Sequence, residues 1–464
     1  MHRLMGLALM LTLFVSVLAP SSARAAVDTC QGLPATIVGS PGSTLKGTAG
    51  DDVIVSNGAS RVFADGGNDT ICTTGSVPPG PDPYGLVAGD AVVVEGGPGV
   101  NVVDRRGDLD PTATATVFEA NTFYGSEARD VVTLSATNVV ATGGGDDRVL
   151  VGDAPVRLAE MTGSVDLGPG DDEFRADGEN GPVEPPPFRA LAGSALAVDG
   201  GGGEDQLVVL PLEAGRWTMD VVKGRLSTRT SSLLAFGGFE DYESGTLNDH
   251  VRVDFIGSRR DETFTVDSLG RDSAVRTVRM GGGDDEIRLY GCGACSDSRQ
   301  ARLDGGPGRD LLQVADQDGS RLLADLTGHR LVRTRAHGPI VTRLGAIEDL
   351  QAVGQKVTVR GDDLDNDLRA WGCLRNVIRG GDGDDVLHHL ANVRYGSDPP
   401  SALATRCEGH VVDVVAHGGP GRDLLVGSSG PDLLDGGPGP DTARAGQGTD
   451  RCPEVEARTG CERG

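Results

Sequence analysis

Residues 418–453 read GGPGRDLLV, GSSGPDLLD, GGPGPDTAR and AGQGTDRCP, four nine-residue units that follow one another without a gap. Each unit has glycine at its fourth place and aspartate at its sixth. Glycine allows the backbone to turn with positive φ and to aim carbonyl oxygens inward, and aspartate adds a hard carboxylate oxygen of the kind that Ca²⁺ selects. The remaining places form a short strand with Leu425 or Leu434 facing inward. This pattern predicts a calcium-binding parallel β-solenoid.

If one unit makes half a coil, units two apart stack on the same side. We therefore expect Asp423 to face Asp441 across one ion and Asp432 to face Asp450 across another. The predicted ligand residues of this array are Gly419, Gly421, Asp423, Gly430, Asp432, Gly437, Gly439, Asp441, Gly446, Gly448 and Asp450. A glycine-rich acidic surface loop is the alternative interpretation, and four units in register disfavour it.

The array resembles the RTX, or haemolysin-type, calcium-binding repeat family. A shorter array of the same type lies at residues 37–72, and further single turns are scattered between the two arrays. The aspartates of these turns are ligand candidates if another turn stacks above or below them, although a turn can also keep its glycines for shape alone. They are Asp52, Asp69, Asp147, Asp172, Asp205, Asp285, Asp310 and Asp385. Asn101 replaces the aspartate in one turn and indicates a degraded site.

A longer repeat connects the arrays. Turns of the GGPGVN, GGGGED and GGPGRD type begin at Gly96, Gly200, Gly305 and Gly418, which are 104, 105 and 113 residues apart. Between them recur hairpin-like segments, TMDVVKGRL at 218–226 and LADLTGHRL at 323–331, and acidic strands such as GFEDYESGT and AIEDLQAVG. Detached repeats with such interspersed segments also resemble the RTX family.

The apolar residues alternate with a period of two, and no convincing amphipathic helix is present. The fold class predicted is all-β, a right-handed parallel β-roll or β-solenoid with extruded loops, two of them proline-rich at 181–188 and 398–401. The predicted organisation is a signal peptide at 1–25, N-terminal RTX-like repeats at 26–76, an irregular solenoid with units of about 105 residues at 77–410, the nonapeptide array at 411–453, and a tail or cap at 454–464.

The first residues have the order of a secretory signal peptide: a short basic region, an apolar run from Leu4 to Leu18, and the cleavage motif Ala23-Arg24-Ala25. We therefore expect a secreted, extracellular protein without a membrane span. In that setting the eight cysteines favour disulfides. Pairing of neighbours gives Cys30–Cys72, Cys292–Cys295, Cys373–Cys407 and Cys452–Cys461 as one hypothesis. Pairing of Cys452 with Cys373 or Cys407 is the alternative.

The formal net charge is −26, and aromatic residues make up only 4% of the chain. Such a chain repels itself and has little large apolar mass, so we expect it to be loose without cations. Nucleic acid is an improbable partner for so acidic a protein. The expected partners are calcium ions and an extracellular polysaccharide or cell-surface component.

Catalytic signatures are scarce, since neither HExxH nor GxSxG occurs. The leading hypothesis is a secreted calcium-binding solenoid that folds on extracellular calcium and has a structural or interaction role. The rival is a β-helix carbohydrate-active enzyme of the polysaccharide-lyase kind with calcium-stabilised repeats. For that rival, Trp217 and Trp371 are candidate exposed residues that stack on sugars.

Overall fold

The structure, a computed structural model, describes residues 28–77, 91–106, 114–151, 161–176, 196–210, 215–246, 251–269, 274–290, 301–315, 321–335, 338–389 and 412–462. All regular elements within these ranges are strands, numbered β1–β39. Nearly all of them pair in parallel with a strand one coil further along the chain. The predicted all-β solenoid is therefore confirmed. The predicted signal peptide and the proline-rich segments at 181–188 and 398–401 lie outside the described residues.

Each coil contributes a strand to each of two facing sheets. The first sheet stacks β3 (Ile37–Val38), β5 (Val53–Val55), β7 (Thr70–Cys72), β9 (Val102–Asp104), the second halves of β10 (Thr114–Ser126) and β11 (Asp130–Gly143), β13 (Thr162–Asp166), β15 (Leu196–Asp199), β19 (Ser232–Gly237), β18 (Arg225–Thr228), β17 (Gly215–Asp220), β21 (Val251–Ile256), β23 (Ala274–Arg279), β25 (Arg302–Asp304), β29 (Gly338–Gly345), β28 (Arg330–Arg335), β27 (Arg321–Asp325), β31 (Lys356–Arg360), β33 (Asn376–Arg379), β35 (Val414–His417) and β37 (Leu433–Asp435).

The second sheet stacks β4 (Thr44–Lys46), β6 (Arg61–Phe63), β8 (Ala91–Glu95), the first halves of β10 and β11, β12 (Arg148–Val151), β14 (Glu173–Ala176), β16 (Gln206–Val209), β20 (Asp241–Thr246), β22 (Thr263–Leu269), β24 (Glu286–Leu289), β26 (Leu311–Ala315), β30 (Asp349–Gly354), β32 (Asp367–Gly372), β34 (Val386–His389), β36 (Leu424–Val426), β38 (Thr442–Arg444) and β39 (Ala457–Thr459). A separate antiparallel pair, β1 (Thr29–Cys30) and β2 (Leu33–Pro34), lies at the N-terminal end.

The core lies between the two sheets, because alternate residues of each strand point inward. In the first sheet Ile54, Ile71 and Val103 occupy one register position in successive coils, and each is fully buried. Stacking brings apolar side chains of the same kind from successive coils into contact along the solenoid axis, and these contacts form the core without helices. Trp217 belongs to this core with only 5% of its surface exposed, so the expectation that it is exposed for sugar stacking is wrong.

Two antiparallel meanders interrupt the first sheet, where both hairpin-like segments were predicted. β17 pairs with β18 and β18 with β19, and in the same way β27 pairs with β28 and β28 with β29. In each meander the first strand is added two positions further along the first sheet, and the second and third strands fill the two positions that were skipped. The third strand therefore stacks on the preceding coil and the first strand stacks on the following one.

Turns that lead from the first sheet to the second form one side of the solenoid, here called the acidic edge. Turns that lead back form the opposite side, here called the loop edge. The acidic edge carries the turns of Asp147, Asp172, Asp205, Asp285, Asp310, Asp385, Asp423 and Asp441. The loop edge carries the turns of Asp52 and Asp69 near one end and of Asp432 and Asp450 near the other.

Disulfides fasten both ends of the described solenoid. Cys30 bonds to Cys72, and Cys452 bonds to Cys461, as predicted. The second bond holds the tail, whose strand β39 pairs with β38 and covers the last coil. Cys373 is also disulfide-bonded, whereas its predicted partner Cys407 and the predicted pair Cys292–Cys295 lie outside the described residues.

Candidate calcium-binding turns

The turn between β35 and β36 illustrates how the glycines position a carboxylate. Gly419 and Gly421 have φ angles of 120° and 154°, which L side chains rarely adopt. A Cβ atom on Gly418 would collide with Oδ2 of Asp423 and with the Gly436 carbonyl oxygen of the next coil. The first glycine of the turn is therefore required for space and the other two for backbone conformation. Together they let a carboxylate oxygen and a carbonyl oxygen from two coils approach the same point.

One oxygen of each aspartate is used to hold the coils in register. Oδ1 of Asp423 accepts a hydrogen bond of 2.9 Å from the backbone N–H of Asp385, and Oδ1 of Asp441 accepts one of 2.8 Å from Asp423. On the loop edge, Oδ1 of Asp450 accepts from the N–H of Asp432 at 2.8 Å. The stacking predicted for both pairs, Asp423 with Asp441 and Asp432 with Asp450, is therefore confirmed.

The second oxygen, Oδ2, is buried and has no hydrogen-bond donor in ten of these residues. Nine of the ten follow a turn with glycine at its second place, and in the turn of Asp69 that place is taken by Asp65, which also has positive φ (72°). The ten residues are Asp69, Asp147, Asp172, Asp205, Asp285, Asp310, Asp385, Asp423, Asp441 and Asp450. They are ten of the twelve aspartates predicted from the sequence as ligands.

The other two predicted aspartates, Asp52 and Asp432, have donors on both oxygens. Their turns carry a hydroxyl residue at the second place. Ser428 donates its N–H to Oδ2 of Asp432 at 2.6 Å and its hydroxyl to Oδ1 at 2.8 Å. Thr48 donates its N–H and its hydroxyl to Oδ2 of Asp52 at 2.7 and 2.9 Å. In these two turns Oδ2 is satisfied from within the turn, and Oδ1 accepts from the preceding coil, from Thr36 for Asp52 and from Val414 for Asp432.

Asn101 reveals which group faces the second oxygen. Its Oδ1 accepts from the N–H of Asp69, as an aspartate would, and its Nδ2 donates to the Gly97 carbonyl oxygen at 2.7 Å. An aspartate at this place directs its acceptor oxygen Oδ2 toward the same kind of carbonyl. Two acceptor oxygens attract each other only through a proton or a cation between them. Carboxylate and carbonyl oxygens are the ligands that Ca²⁺ prefers. The donor set of the ten turns therefore fits calcium.

Burial raises the pKa of seven of the turn carboxyls far above its ordinary value, and neighbouring carboxylates raise it further against the lowering effect of the N–H donors. The pKa is raised to about 8 for Asp147, to about 7 for Asp172, Asp310 and Asp385, and to about 6 for Asp205, Asp285 and Asp423. In the absence of a cation these groups hold protons far above the range of an exposed aspartate.

The acidic edge is more continuous than the sequence indicated. Glu240, Glu348 and Glu456 take the place of aspartate and accept the N–H of Asp205, Asp310 and Asp441 at 3.2, 2.9 and 2.7 Å. The acidic strands GFEDYESGT and AIEDLQAVG were recognised as recurring but not as rungs of this ladder. The full edge is Asp130, Asp147, Asp172, Asp205, Glu240, Glu262, Asp285, Asp310, Glu348, Asn366, Asp385, Asp423, Asp441 and Glu456.

Aspartates at the fifth place, such as Asp146 and Asp384, were also missed. Each accepts a backbone N–H from the following coil, Asp171 at 3.2 Å and Arg422 at 2.8 Å. The GDD doublets are the signal that could have found them. Within the described ranges, no three carboxylate, imidazole or thiolate side chains converge on one point. A calcium site in these turns therefore depends on backbone carbonyl oxygens.

Comparison with known proteins agrees with this geometry. The family model of the RTX calcium-binding nonapeptide repeat matches in four copies, at residues 38–71, 375–391 and 417–452. No curated protein matches the chain significantly. In the part of the chain that the structure describes, no helix has the length and apolarity needed to cross a membrane. The chain therefore contains four copies of a repeat that matches the RTX calcium-binding nonapeptide model, and its described residues form an all-β solenoid with stacked glycine–aspartate turns.

Proposed function

We propose that this chain is a secreted rod that folds when calcium binds its carboxylate turns outside the cell, and that it serves there as a structural or interaction protein. The ten buried Oδ2 atoms without a donor are the observation that carries the proposal. An ionised carboxylate that is buried without a partner costs several kcal/mol, whereas a whole domain is stable by only about 5–15 kcal/mol. An ionised acidic edge therefore requires counter-ions within the turns.

The two carboxylate oxygens of each aspartate have different roles. Oδ1 fixes the spacing of successive coils through the N–H of the preceding aspartate, and Oδ2 with the turn carbonyls offers hard oxygen ligands. Bound calcium supplies two positive charges and accepts six to eight such oxygens. With free calcium at about ten to a hundred times the dissociation constant, each site adds roughly 1.4–2.7 kcal/mol, so a few sites decide the fold.

Two features of the chain support export. Residues 4–18 form the apolar core of a signal-peptide pattern that ends in Ala23-Arg24-Ala25. The disulfides Cys30–Cys72 and Cys452–Cys461 are typical of proteins that fold in oxidising compartments. Calcium in such compartments is commonly millimolar, which matches the dissociation constants of about 10⁻⁴ to 10⁻³ M of extracellular calcium modules.

The calcium proposal is tested on the oxidised chain from residue 26 to residue 464. Circular dichroism and thermal unfolding are measured in millimolar calcium, in EGTA and in magnesium. We expect a β spectrum and cooperative unfolding in calcium and loss of both in EGTA, with magnesium unable to restore them. A spectrum and a melting temperature that EGTA leaves unchanged would remove the proposal.

Export is tested separately with residues 1–30 fused to a reporter enzyme that is active only after disulfide formation outside the cytoplasm. We expect an active reporter cleaved after Ala25. An uncleaved, inactive fusion would contradict secretion and leave the calcium result to stand by itself.

A further inference from the structure

The second meander places a row of arginines on the outer face of the first sheet. Arg302 of β25 is the register partner of Arg343 of β29, which is the partner of Arg330 of β28. The row continues through Asp325 of β27, Arg360, Arg379 and His417 in successive strands. Neighbouring strands lie about 4.8 Å apart, so the row presents a cationic side chain at nearly every strand along the axis.

The carboxylates beside this row leave much of its charge uncompensated. Asp304 contacts Arg302 at 2.7 Å, and Asp325 contacts Arg330 at 3.0 Å and Arg360 at 3.8 Å. Arg343, between Arg302 and Arg330, has no carboxylate of the described residues within ion-pair distance, and neither has Arg379. Like charges directly opposite in a sheet are destabilising. The chain has 68 acidic residues against 42 basic ones, so its composition provides ample carboxylates for pairing.

An open depression of about 390 Å³ lies at the start of the row. It is lined by Arg302, His329, Arg330 and Arg343 together with Val341 and Leu344, and no carboxylate lines it. The side chains of Arg302 and Arg330 remain 57% and 48% exposed. The guanidinium groups are therefore accessible to a ligand from solvent.

The first meander provides an internal control, because it has the same register with different residues. There the row runs Ala197, Ala235, Arg225, Asp220, Ile256 and Arg279. The pairing of arginine with aspartate on the hairpin is common to both meanders. Arg302, Arg343 and Arg360 replace Ala197, Ala235 and Ile256, so the fold of a meander does not need these three arginines.

We propose that this row, Arg302, Arg343, Arg330, Arg360 and Arg379 with the depression beside His329, is a binding surface for a linear acidic polysaccharide lying along the solenoid axis. Arginine presents a planar fork that matches a carboxylate or sulfate with two hydrogen bonds. A linked pyranose chain advances by about one strand spacing per sugar, so each charged sugar meets a new strand. The outward Val332 and Val341, which flank the row, provide apolar contact for the sugar rings.

Other polyanions fit this surface less well. Single-stranded nucleic acid is held by basic grooves with aromatic side chains on which bases stack, and the outward residues of the row include no phenylalanine, tyrosine or tryptophan. Duplex DNA carries one charge per about 1.7 Å of its axis, a higher charge density than one arginine per strand. Its charges are also wound around a cylinder, whereas the row is straight. At physiological ionic strength charges are screened beyond about 8 Å, so the row acts locally despite the acidic molecule.

The inference rests on the proposed function only in that the protein would meet the polysaccharide outside the cell. Binding itself is measured on purified protein. The probe is a short galacturonate oligomer in calcium, with calorimetry for affinity and circular dichroism for the fold. The variant Arg302→Ala/Arg343→Ala/Arg360→Ile introduces the residues of the first meander. The matched control Arg229→Ala/Arg259→Ala/Arg444→Ala removes the same charge from exposed arginines elsewhere.

We expect the native chain to bind the oligomer, binding to weaken with salt, the meander variant to lose roughly tenfold or more in affinity, and the control to stay within about twofold. The methyl-esterified oligomer should not bind, and the oligomer should keep its length. The proposal is overturned if the folded native chain fails to bind, if the meander variant binds as tightly as the native chain, if duplex DNA or anionic lipid vesicles bind more tightly at the same row, or if the oligomer is shortened. Failure of the calcium proposal would instead appear as an unchanged spectrum in EGTA.

Discussion

Turns with glycine at the second place and turns with serine or threonine there solve the same problem in different ways. In the turn of Asp423 the N–H of Gly419 donates to the Gly436 carbonyl of the next coil, and Oδ2 of the aspartate receives nothing. In the turn of Asp432 the N–H of Ser428 donates to the aspartate itself. A single residue thus decides whether Oδ2 of the aspartate has a donor inside its own turn or is left without one.

This difference teaches that the GxxGxD spacing alone does not decide how the second carboxylate oxygen is satisfied. Both kinds of turn stack, because Oδ1 of Asp423 and Oδ1 of Asp432 each accept a backbone N–H from the preceding coil, that of Asp385 and that of Val414. They differ in the second oxygen, Oδ2, which has a buried donor in one kind of turn and none in the other. Each such hydrogen bond stabilises the folded protein by about 1 kcal/mol. The following predictions test the comparison, from the largest expected effect to the smallest.

The largest effect is expected from pH in the absence of calcium. Seven of the glycine-turn carboxyls have folded-state pKa values raised to about 6–8, above the value of about 3.9 in the unfolded chain, so between these values the folded state binds more protons than the unfolded state. They are Asp147, Asp172, Asp205, Asp285, Asp310, Asp385 and Asp423. The stability that these protonated carboxyls contribute is fully present below their unfolded-state pKa and is lost as the pH rises through 6–8. Each unit of raised pKa is worth about 1.4 kcal/mol.

In EGTA, the urea midpoint should therefore rise when the pH is lowered from 8 to 5. In saturating calcium it should not rise, because protons then compete with the ion for the same oxygens. The double variant Asp147→Asn/Asp172→Asn should flatten the EGTA profile. A midpoint in EGTA that falls on acidification would show that these carboxyls are not the groups that destabilise the calcium-free protein.

The second prediction compares Asp423→Ala with Asp432→Ala. Loss of Asp423 should reduce the stabilisation that calcium provides by roughly 1.4–2.7 kcal/mol, because a ligand of a bound ion is removed. Loss of Asp432 should lower stability by about 1–3 kcal/mol equally in calcium and in EGTA, since it breaks bonds made within the protein. Urea unfolding under both conditions measures this difference. Equal calcium responses of the two variants would contradict the distinction between the turns.

The third prediction converts an amide turn into a carboxylate turn. Asn101→Asp replaces the Nδ2 donor to the Gly97 carbonyl with an acceptor. In EGTA the variant should be less stable by about 1–3 kcal/mol, and calcium should restore the loss. Calorimetry should count one additional calcium ion. A variant that is destabilised equally with and without calcium would mean that the carbonyl and the new carboxylate do not share an ion.

The smallest effect is expected for Ser428→Gly. The variant loses the hydroxyl bond to Asp432 and frees the backbone to adopt the glycine-turn conformation, so it should be about 1 kcal/mol less stable in EGTA. In calcium it should gain one ion and recover. Ser429→Gly, one residue further on, is the control and should not change the calcium count. An unchanged count for Ser428→Gly would show that the second-place residue does not select the ion.

The repeat pattern was sufficient to predict much of the candidate site. Ten of the twelve predicted aspartates have the orphaned oxygen, because nine residues contain both the turn and the carboxylate that it orients. The two hydroxyl turns were not distinguished, since the serine or threonine leaves the spacing intact. The glutamates at 240, 262, 348 and 456 were missed because they lack the glycines, and only stacking on a neighbouring aspartate turn identifies them.

The sequence by itself determined the all-β class, the nine-residue turns and the two hairpins, because each depends on residues close together in the chain or on a strict local period. The pairs Cys30–Cys72 and Cys452–Cys461 were one hypothesis among the possible pairings, and the folded chain decides between them. Tertiary structure alone decided which coil lies on which. Asp172 stacks on Asp205, 33 residues away, whereas Asp423 stacks on Asp441, 18 residues away. Loops of any length can be inserted between coils at a small entropic cost, so the spacing in sequence does not fix the neighbour in space. The arginine row joins residues from 302 to 379 for the same reason: the meander reverses the order of its strands, and only the folded sheet places those charges side by side.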